Sequence, residues 1–132
     1  MNRAGSFSLE NHPGPYEKWP GSSRLLLGGK SIGLDLPGYA LRFQTQLTFG
    51  HLFVSDYDCP YEELTSFLLV SSDFRIVSRR FLLGVLFRSM ERTDDRQWVI
   101  EFHESPRYKL TLRSWGIPYL YPRLGLTQLR GG

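Results

Sequence analysis

The sequence contains a single cysteine, Cys59, among its 132 residues. One cysteine excludes an internal disulfide framework and a cysteine-based zinc site. Long apolar runs are also missing, since no stretch reaches the roughly 18 residues that a membrane span needs. No Asn-x-Ser/Thr sequon occurs, and residues 1–19 lack the apolar region of a secretory signal. We therefore expect a cytoplasmic protein that does not interact with a membrane.

Lysine is scarce, because arginine supplies 13 of the 16 basic residues. Between Phe43 and Phe74 there are five carboxylates and no basic residue. From Arg75 onward there are eleven basic and five acidic residues. The net charge of +3 is too small to indicate nucleic-acid binding by itself. Strand alternation would also send Arg79 and Arg80 to opposite faces of a sheet. The sequence thus argues against a single basic face and against a nucleic-acid partner.

Apolar residues are plentiful enough for a buried core, at 41% hydrophobic and 14% aromatic. The length fits one domain. Residues 1–23 contain Pro13, Pro15 and Pro20 with several glycines, which predicts an irregular lead-in segment. Tyr16 and Trp19 lie inside that segment and favour packing of part of it on the domain. Residues 24–132 are predicted to form a single β domain.

A two-residue hydrophobic period runs through most of the β domain, most clearly over residues 39–49 and 98–112. With turn signals every 8–12 residues, this pattern predicts an all-β fold. We expect one antiparallel meander of about eight strands that forms a barrel or a sandwich, with at most one short helix near residues 60–67. The residues predicted to face the core are Leu41, Phe43, Leu47, Trp98, Ile100, Phe102, Leu110 and Leu112.

Two local patterns resemble ligand sites and fail on inspection. Gly29-Lys30-Ser31 matches the end of a phosphate-binding loop, but Arg24 occupies the position of the first glycine. A hairpin turn at Gly28-Gly29 explains these residues better. Asp56-Tyr57-Asp58 begins like a calcium loop, but Pro60 and Phe67 replace later ligands. A looser oxygen site formed by Asp56, Asp58 and Glu62 stays open as an alternative. We predict no cofactor and no metal.

Few residues offer catalytic chemistry. Glu101 and His103 are two residues apart on one predicted strand, a spacing compatible with acid–base work but also with a polar surface pair. Cys59 has no histidine near it in sequence to activate its thiol. We therefore predict that the protein is not an enzyme and has no catalytic residues.

The most informative stretch is residues 56–63, which we call the acidic segment. It holds four carboxylates and two tyrosines and no base. Tyrosine provides rigid contact area and carboxylates steer a basic partner toward the site. A solvated connection that caps a helix would explain the same residues. The predicted partner-binding residues are Asp56, Tyr57, Asp58, Tyr61, Glu62 and Glu63.

These observations favour a non-enzymatic protein-binding domain whose partner is another protein with a basic surface. Small size and the acidic segment suit a small bacterial inhibitor or a toxin-neutralising, immunity-type protein, an interpretation by analogy. The alternatives are a β-barrel that binds a small ligand and a small enzyme assembled from Cys59, Glu101, His103 and the acidic segment.

Overall fold

The computed structural model of the chain describes residues 6–57, 63–114 and 123–129. These residues form eleven strands and one 3₁₀ turn, Tyr16–Lys18, and none of them lies in an α-helix. The predicted all-β, antiparallel fold is confirmed. Within the described part of the chain, no helix is long and apolar enough to cross a membrane.

The first sheet has three strands in the order β1-β2-β3: Phe7–Leu9, Ser22–Leu27 and Lys30–Pro37. Gly28 and Gly29 join β2 to β3 with φ angles of 60° and 86°. A two-residue hairpin turn with positive φ at both positions matches the twist of the strands and favours glycine. This hairpin was predicted around the same two glycines. Strand β1 lies in the segment that was predicted to be irregular, where it pairs with β2.

The second sheet has four strands in the order β4-β5-β6-β7: Ala40–Leu47, Gly50–Asp56, Leu64–Ser71 and Ile76–Leu83. The third sheet also has four strands, in the order β11-β10-β9-β8. In chain order, β8 to β11 are Phe87–Asp94, Gln97–Phe102, Ser105–Leu112 and Leu124–Gln128. Within each sheet every strand pairs with its neighbour in the chain. The predicted meander therefore exists as three consecutive meanders.

The second sheet is the central layer of a three-layer sandwich. Its strands β5 and β6 are apolar on both faces and buried on both. Leu52, Val54, Phe67 and Leu69 pack into a large core with the third sheet. Phe53, Leu68 and Val70 point the other way and pack into a smaller core with the first sheet. Because each described sheet ends in edge strands, the sandwich and not the closed barrel is the observed architecture.

Most of the predicted core is confirmed. Trp98, Ile100, Phe102, Leu110 and Leu112 are buried in the large core, and Phe43 and Leu47 pack against it. Leu41 instead packs against the smaller core, so its assignment to the same face as Phe43 was wrong. The pairing of β4 with β5 shifts between Leu41 and Phe43, which indicates a β-bulge at Arg42. An extra residue in one strand reverses the alternation of faces beyond it.

The helix predicted near residues 60–67 is wrong for its second half, because Leu64–Ser71 is strand β6. Thr65 is β-branched, and the following Phe67–Val70 run suits a strand that is covered on both faces. Residues 60–62 lie outside the described part of the chain. The division into a lead-in and one β domain stays a prediction.

Candidate protein-binding surface

The first residue of the acidic segment, Asp56, is buried at the end of β5, with 4% of its surface exposed. Nε of Arg42 lies 2.9 Å from each of its two carboxylate oxygens. A carboxylate held in this way by an internal arginine does not act as an exposed steering charge. Asp56 is thus buried and paired with Arg42 at the start of the segment, while its role in partner binding stays a prediction.

Tyr57 follows directly and is half-buried. Its hydroxyl donates a hydrogen bond of 2.7 Å to the carbonyl of Gly21, and its ring meets the ring of Tyr39 edge to face at 5.2 Å. At the other end of the segment Glu63 is exposed, and its carbonyl accepts a hydrogen bond from the amide of Gly84. Asp58, Tyr61 and Glu62 lie outside the described residues.

Tyr57 belongs to a group of five rings that we call the aromatic cluster: His12, Tyr16, Trp19, Tyr39 and Tyr57. Tyr39 is its centre, with ring centroids 5.0–5.6 Å from the other four. Edge-to-face pairs at such distances are favourable beyond the burial they provide. Tyr16 stays 39% exposed and is one of four large apolar or aromatic side chains that are exposed in the described part of the chain.

Backbone carbonyls of the lead-in segment accept hydrogen bonds from two of these rings. The Tyr39 hydroxyl donates to Pro20 at 2.7 Å, and the Trp19 indole donates to Gly14 at 3.1 Å. Between the two acceptors the segment makes the 3₁₀ turn Tyr16–Lys18, with Pro15 and Trp19 extended on either side. The hydrogen-bond donors of Tyr39 and Trp19 are thus satisfied within the chain.

Gly38 allows the chain at Tyr39 to come close to the chain at Tyr57. Its φ of 103° lies in a region that other residues rarely adopt, and a Cβ added there would overlap the backbone carbonyl of Asp56. The next amide, that of Tyr39, donates to the same carbonyl at 2.8 Å. The start of β4 thus approaches the end of β5 closely enough for Tyr39 and Tyr57 to touch.

A serine and a histidine lie close together next to the cluster, but their geometry does not fit catalysis. Nε2 of His12 is 2.8 Å from Oγ of Ser23, which donates its proton to the carbonyl of Gly38 at 2.6 Å. The histidine therefore donates to the serine and is not placed to accept its proton. Ser23 is fully buried as well, whereas a nucleophile must reach its substrate.

The other catalytic candidates named from the sequence are Glu101, His103 and Cys59. Glu101 is half-buried in β9, which ends at Phe102. The prediction that Glu101 and His103 lie on one strand is therefore wrong. His103 and Glu104 form the turn to β10, and Glu104 has a positive φ of 54°. Cys59 lies outside the described residues. Residues 6–57, 63–114 and 123–129 contain no group of three or more histidine, cysteine or acidic side chains that could hold a metal ion.

The arginines of the C-terminal half divide between faces, as the alternation predicts. Arg79 is exposed, whereas the half-buried Arg80 donates to the carbonyl of Leu124 at 2.8 Å. Arg92 lies over the ring of Trp98, 5.5 Å from its centroid, and donates to the carbonyls of Asp94 and Asp95. Much of the arginine excess in this region is thus used in internal contacts.

Four members of the aromatic cluster were not predicted as site residues: His12, Tyr16, Trp19 and Tyr39. The signal available in the sequence was the density of large aromatic side chains in a proline-rich lead-in, which predicts packing but not the location of that packing. Comparisons with family models, with curated proteins and with solved structures found no match to this chain.

Proposed function

We propose that this chain is a non-enzymatic protein-binding domain that docks a partner through the aromatic cluster and the adjoining acidic segment. The observation that carries the proposal is the position of Tyr57, which belongs to both features. A fixed aromatic surface beside a stretch of carboxylates resembles the centre and the rim of a protein interface.

The partner's chemistry follows from the charges. Asp58, Glu62 and Glu63 have no basic residue near them in sequence, and Glu63 is exposed. Carboxylates of this kind favour a partner with a basic surface or cleft. In the immunity-type or inhibitor role, the acidic segment would fill such a cleft and keep the partner's own substrate out.

No observation specifically supports either alternative, the small enzyme or the ligand-binding β-barrel. An enzyme would need an activated nucleophile or base, and the Ser23–His12 pair has the wrong proton arrangement. A ligand-binding barrel would need a closed sheet, and the described sheets are open.

The proposal is tested by measuring the association and dissociation rate constants of variants separately. Interacting proteins recovered from a host extract are identified, and the purified candidate is measured by surface plasmon resonance. Tyr16→Ala should speed dissociation, by about thirtyfold if the ring is an anchor worth about 2 kcal/mol. Tyr16→Phe, which keeps the ring, is the matched control. Equal dissociation rates for the two variants would exclude the aromatic cluster as the docking surface.

The role of the carboxylates in the acidic segment is tested with the same partner. Neutralising Asp58, Glu62 and Glu63 should slow association and reduce its dependence on salt, because exposed charges act mainly on encounter. Asp56→Asn is the contrasting variant: it should lower the free energy of unfolding by about 1.5–3 kcal/mol, the range for hydrogen bonds to charged groups, without changing the association rate. An unchanged salt dependence after neutralisation would contradict the role of the segment.

A further inference from the structure

The hydrogen-bond donors of four rings in the aromatic cluster are used within the chain. The hydroxyls of Tyr39 and Tyr57 and the indole of Trp19 donate to backbone carbonyls of the lead-in segment. Nε2 of His12 donates to Oγ of Ser23, because that hydroxyl gives its own proton to a backbone carbonyl. These four rings therefore have no donor left for the oxygens of a phosphate or a sugar.

Hydrogen-bond acceptors remain on the same surface. The carbonyl oxygens of Gly14 and Pro20 each accept one bond from a ring of the cluster, and a carbonyl oxygen has two lone pairs. Both residues are exposed. With its proton on Nε2, the ring of His12 also has an acceptor in Nδ1. The surface thus suits a ligand that donates hydrogen bonds and accepts none.

The charges around the cluster favour a cation. The lead-in and acidic segments together hold six carboxylates and two basic residues. Glu17 is exposed next to Tyr16. Glu63 is exposed immediately before β6, which pairs with the strand that leads into Tyr57. Carboxylates attract a positive group, and the faces of aromatic rings do the same.

Two arginines within the chain already combine a ring with a backbone acceptor. Cζ of Arg92 lies 5.5 Å from the ring centroid of Trp98, and its guanidinium donates to two carbonyls. Cζ of Arg123 lies 5.4 Å from the ring centroid of Phe49, and its Nε donates to one. Arginine suits both contacts, because its planar guanidinium stacks on rings, carries five N–H donors and has no acceptor. Lysine is a compact, strongly hydrated charge without such a plane.

We infer that the aromatic cluster binds an arginine side chain of the protein partner, whose guanidinium lies against the ring of Tyr16. That ring is 39% exposed. The N–H groups of this arginine, which we call the arginine anchor, meet the remaining acceptors of the lead-in segment. The arginine anchor rests on the proposed function, because it names the group that the docking surface takes.

The first test needs no partner. The full chain, labelled with ¹⁵N, is titrated with N-acetyl-arginine amide, and the indole N–H of Trp19 is followed by NMR. Trp19→Phe identifies that signal among the three tryptophans. We expect it to shift with the arginine compound, less with the lysine counterpart, and not with the citrulline counterpart, which keeps the shape of arginine and removes its charge.

Two variants locate the contact. Tyr16→Ala should raise the dissociation constant of the arginine compound by about three- to fivefold, the range for a cation over an exposed ring. Phe81→Ala is the matched control, because it removes an exposed ring outside the cluster and should leave the titration unchanged. Equal shifts with arginine and citrulline, no shift with arginine, or a shift with maltose alone would overturn the inference.

The second test uses the partner identified for the proposed function. Each arginine of its interface is replaced by lysine and by alanine, and each change is combined with Tyr16→Ala. For the arginine anchor the two changes together should weaken binding by about threefold less than the product of their separate effects. Binding that Tyr16→Ala weakens, with no partner arginine coupled to it, would overturn the arginine anchor and keep the docking surface. Binding indifferent to Tyr16→Ala, with Trp19 still shifted by the arginine compound, would contradict the proposed function and leave a cation site.

Discussion

The two faces of the central sheet are covered unequally. On one face the third sheet packs over all four strands, with Phe43, Leu52, Phe67 and Leu82 contributing from β4, β5, β6 and β7 in turn. On the other face the first sheet packs over β4, β5 and β6, and the side chains of β7 stay exposed. The difference shows that hydrophobicity alone does not determine burial, because Leu83 is as apolar as any core residue and is 76% exposed.

The largest effect should come from the fully covered face. Phe67 is completely buried in the large core. Phe67→Ala should lower the free energy of unfolding by about 3–5 kcal/mol, since it removes an aromatic side chain and leaves a cavity between two sheets. Denaturant unfolding followed by circular dichroism measures the change. A loss below about 1 kcal/mol would mean that the third sheet does not pack on β6 as described.

The adjacent residue tests the other face. Leu68→Ala removes a fully buried side chain from the smaller core and should cost about 2–5 kcal/mol. Its local effect should differ from that of Phe67→Ala, because the three-stranded layer has fewer elements to hold it. In hydrogen exchange, Leu68→Ala should expose the amides of β1–β3 more than those of β8–β11. Equal loss in both sheets would argue that the two cores act as one.

A pH dependence should belong to the smaller core. His51 stacks on Phe74 at 5.2 Å and on Phe53 at 5.9 Å, and burial lowers its pKa below the usual 6.5. The unfolded chain then takes up a proton at a higher pH than the folded chain. Stability should therefore be full above about pH 6.5 and fall as the pH drops through that value toward the lower pKa of the folded state.

The measurement for His51 is the free energy of unfolding between pH 7.5 and 5. His51→Phe should flatten the slope, because it keeps an apolar ring in the stack and removes the titrating group. His103→Gln, in an exposed turn, should keep the slope of the parent. If both variants retain that slope, the pH dependence has another source.

The smallest effect should come from the uncovered strand. Phe81→Ser should change the free energy of unfolding by no more than about 0.5 kcal/mol in dilute solution, the usual range for exposed positions. A cost near that of Leu68→Ala would contradict the exposure of Phe81 in the structure.

Much of the fold could be predicted because it depends on local pattern. The alternation at Trp98, Ile100 and Phe102 identifies a buried face correctly, and Gly28-Gly29 identifies its hairpin. The failures have particular causes. A bulge at Arg42 reverses the faces of β4 without any change in residue type, so Leu41 was assigned to the wrong core.

The candidate site was less predictable because its parts are distant in sequence. Tyr57 could be selected from its acidic neighbours. Its ring partner Tyr39 and the hydroxyl acceptor Gly21 lie 18 and 36 residues away, and no local pattern joins them. Composition also made Asp56 look like a free surface charge, when tertiary contact with Arg42 buries it.

The seam between β7 and β11 has a consequence for how the chain folds. Each sheet is a contiguous stretch of sequence in which neighbouring strands pair across connections of 2 to 12 residues, which close at small entropic cost. The bonds from Ser78 and Arg80 to Leu124 span 46 and 44 residues and require two finished sheets. We therefore expect them to form late in folding and to add little to its transition state. Weakening the seam should then shorten the lifetime of the folded sandwich more than it slows its assembly.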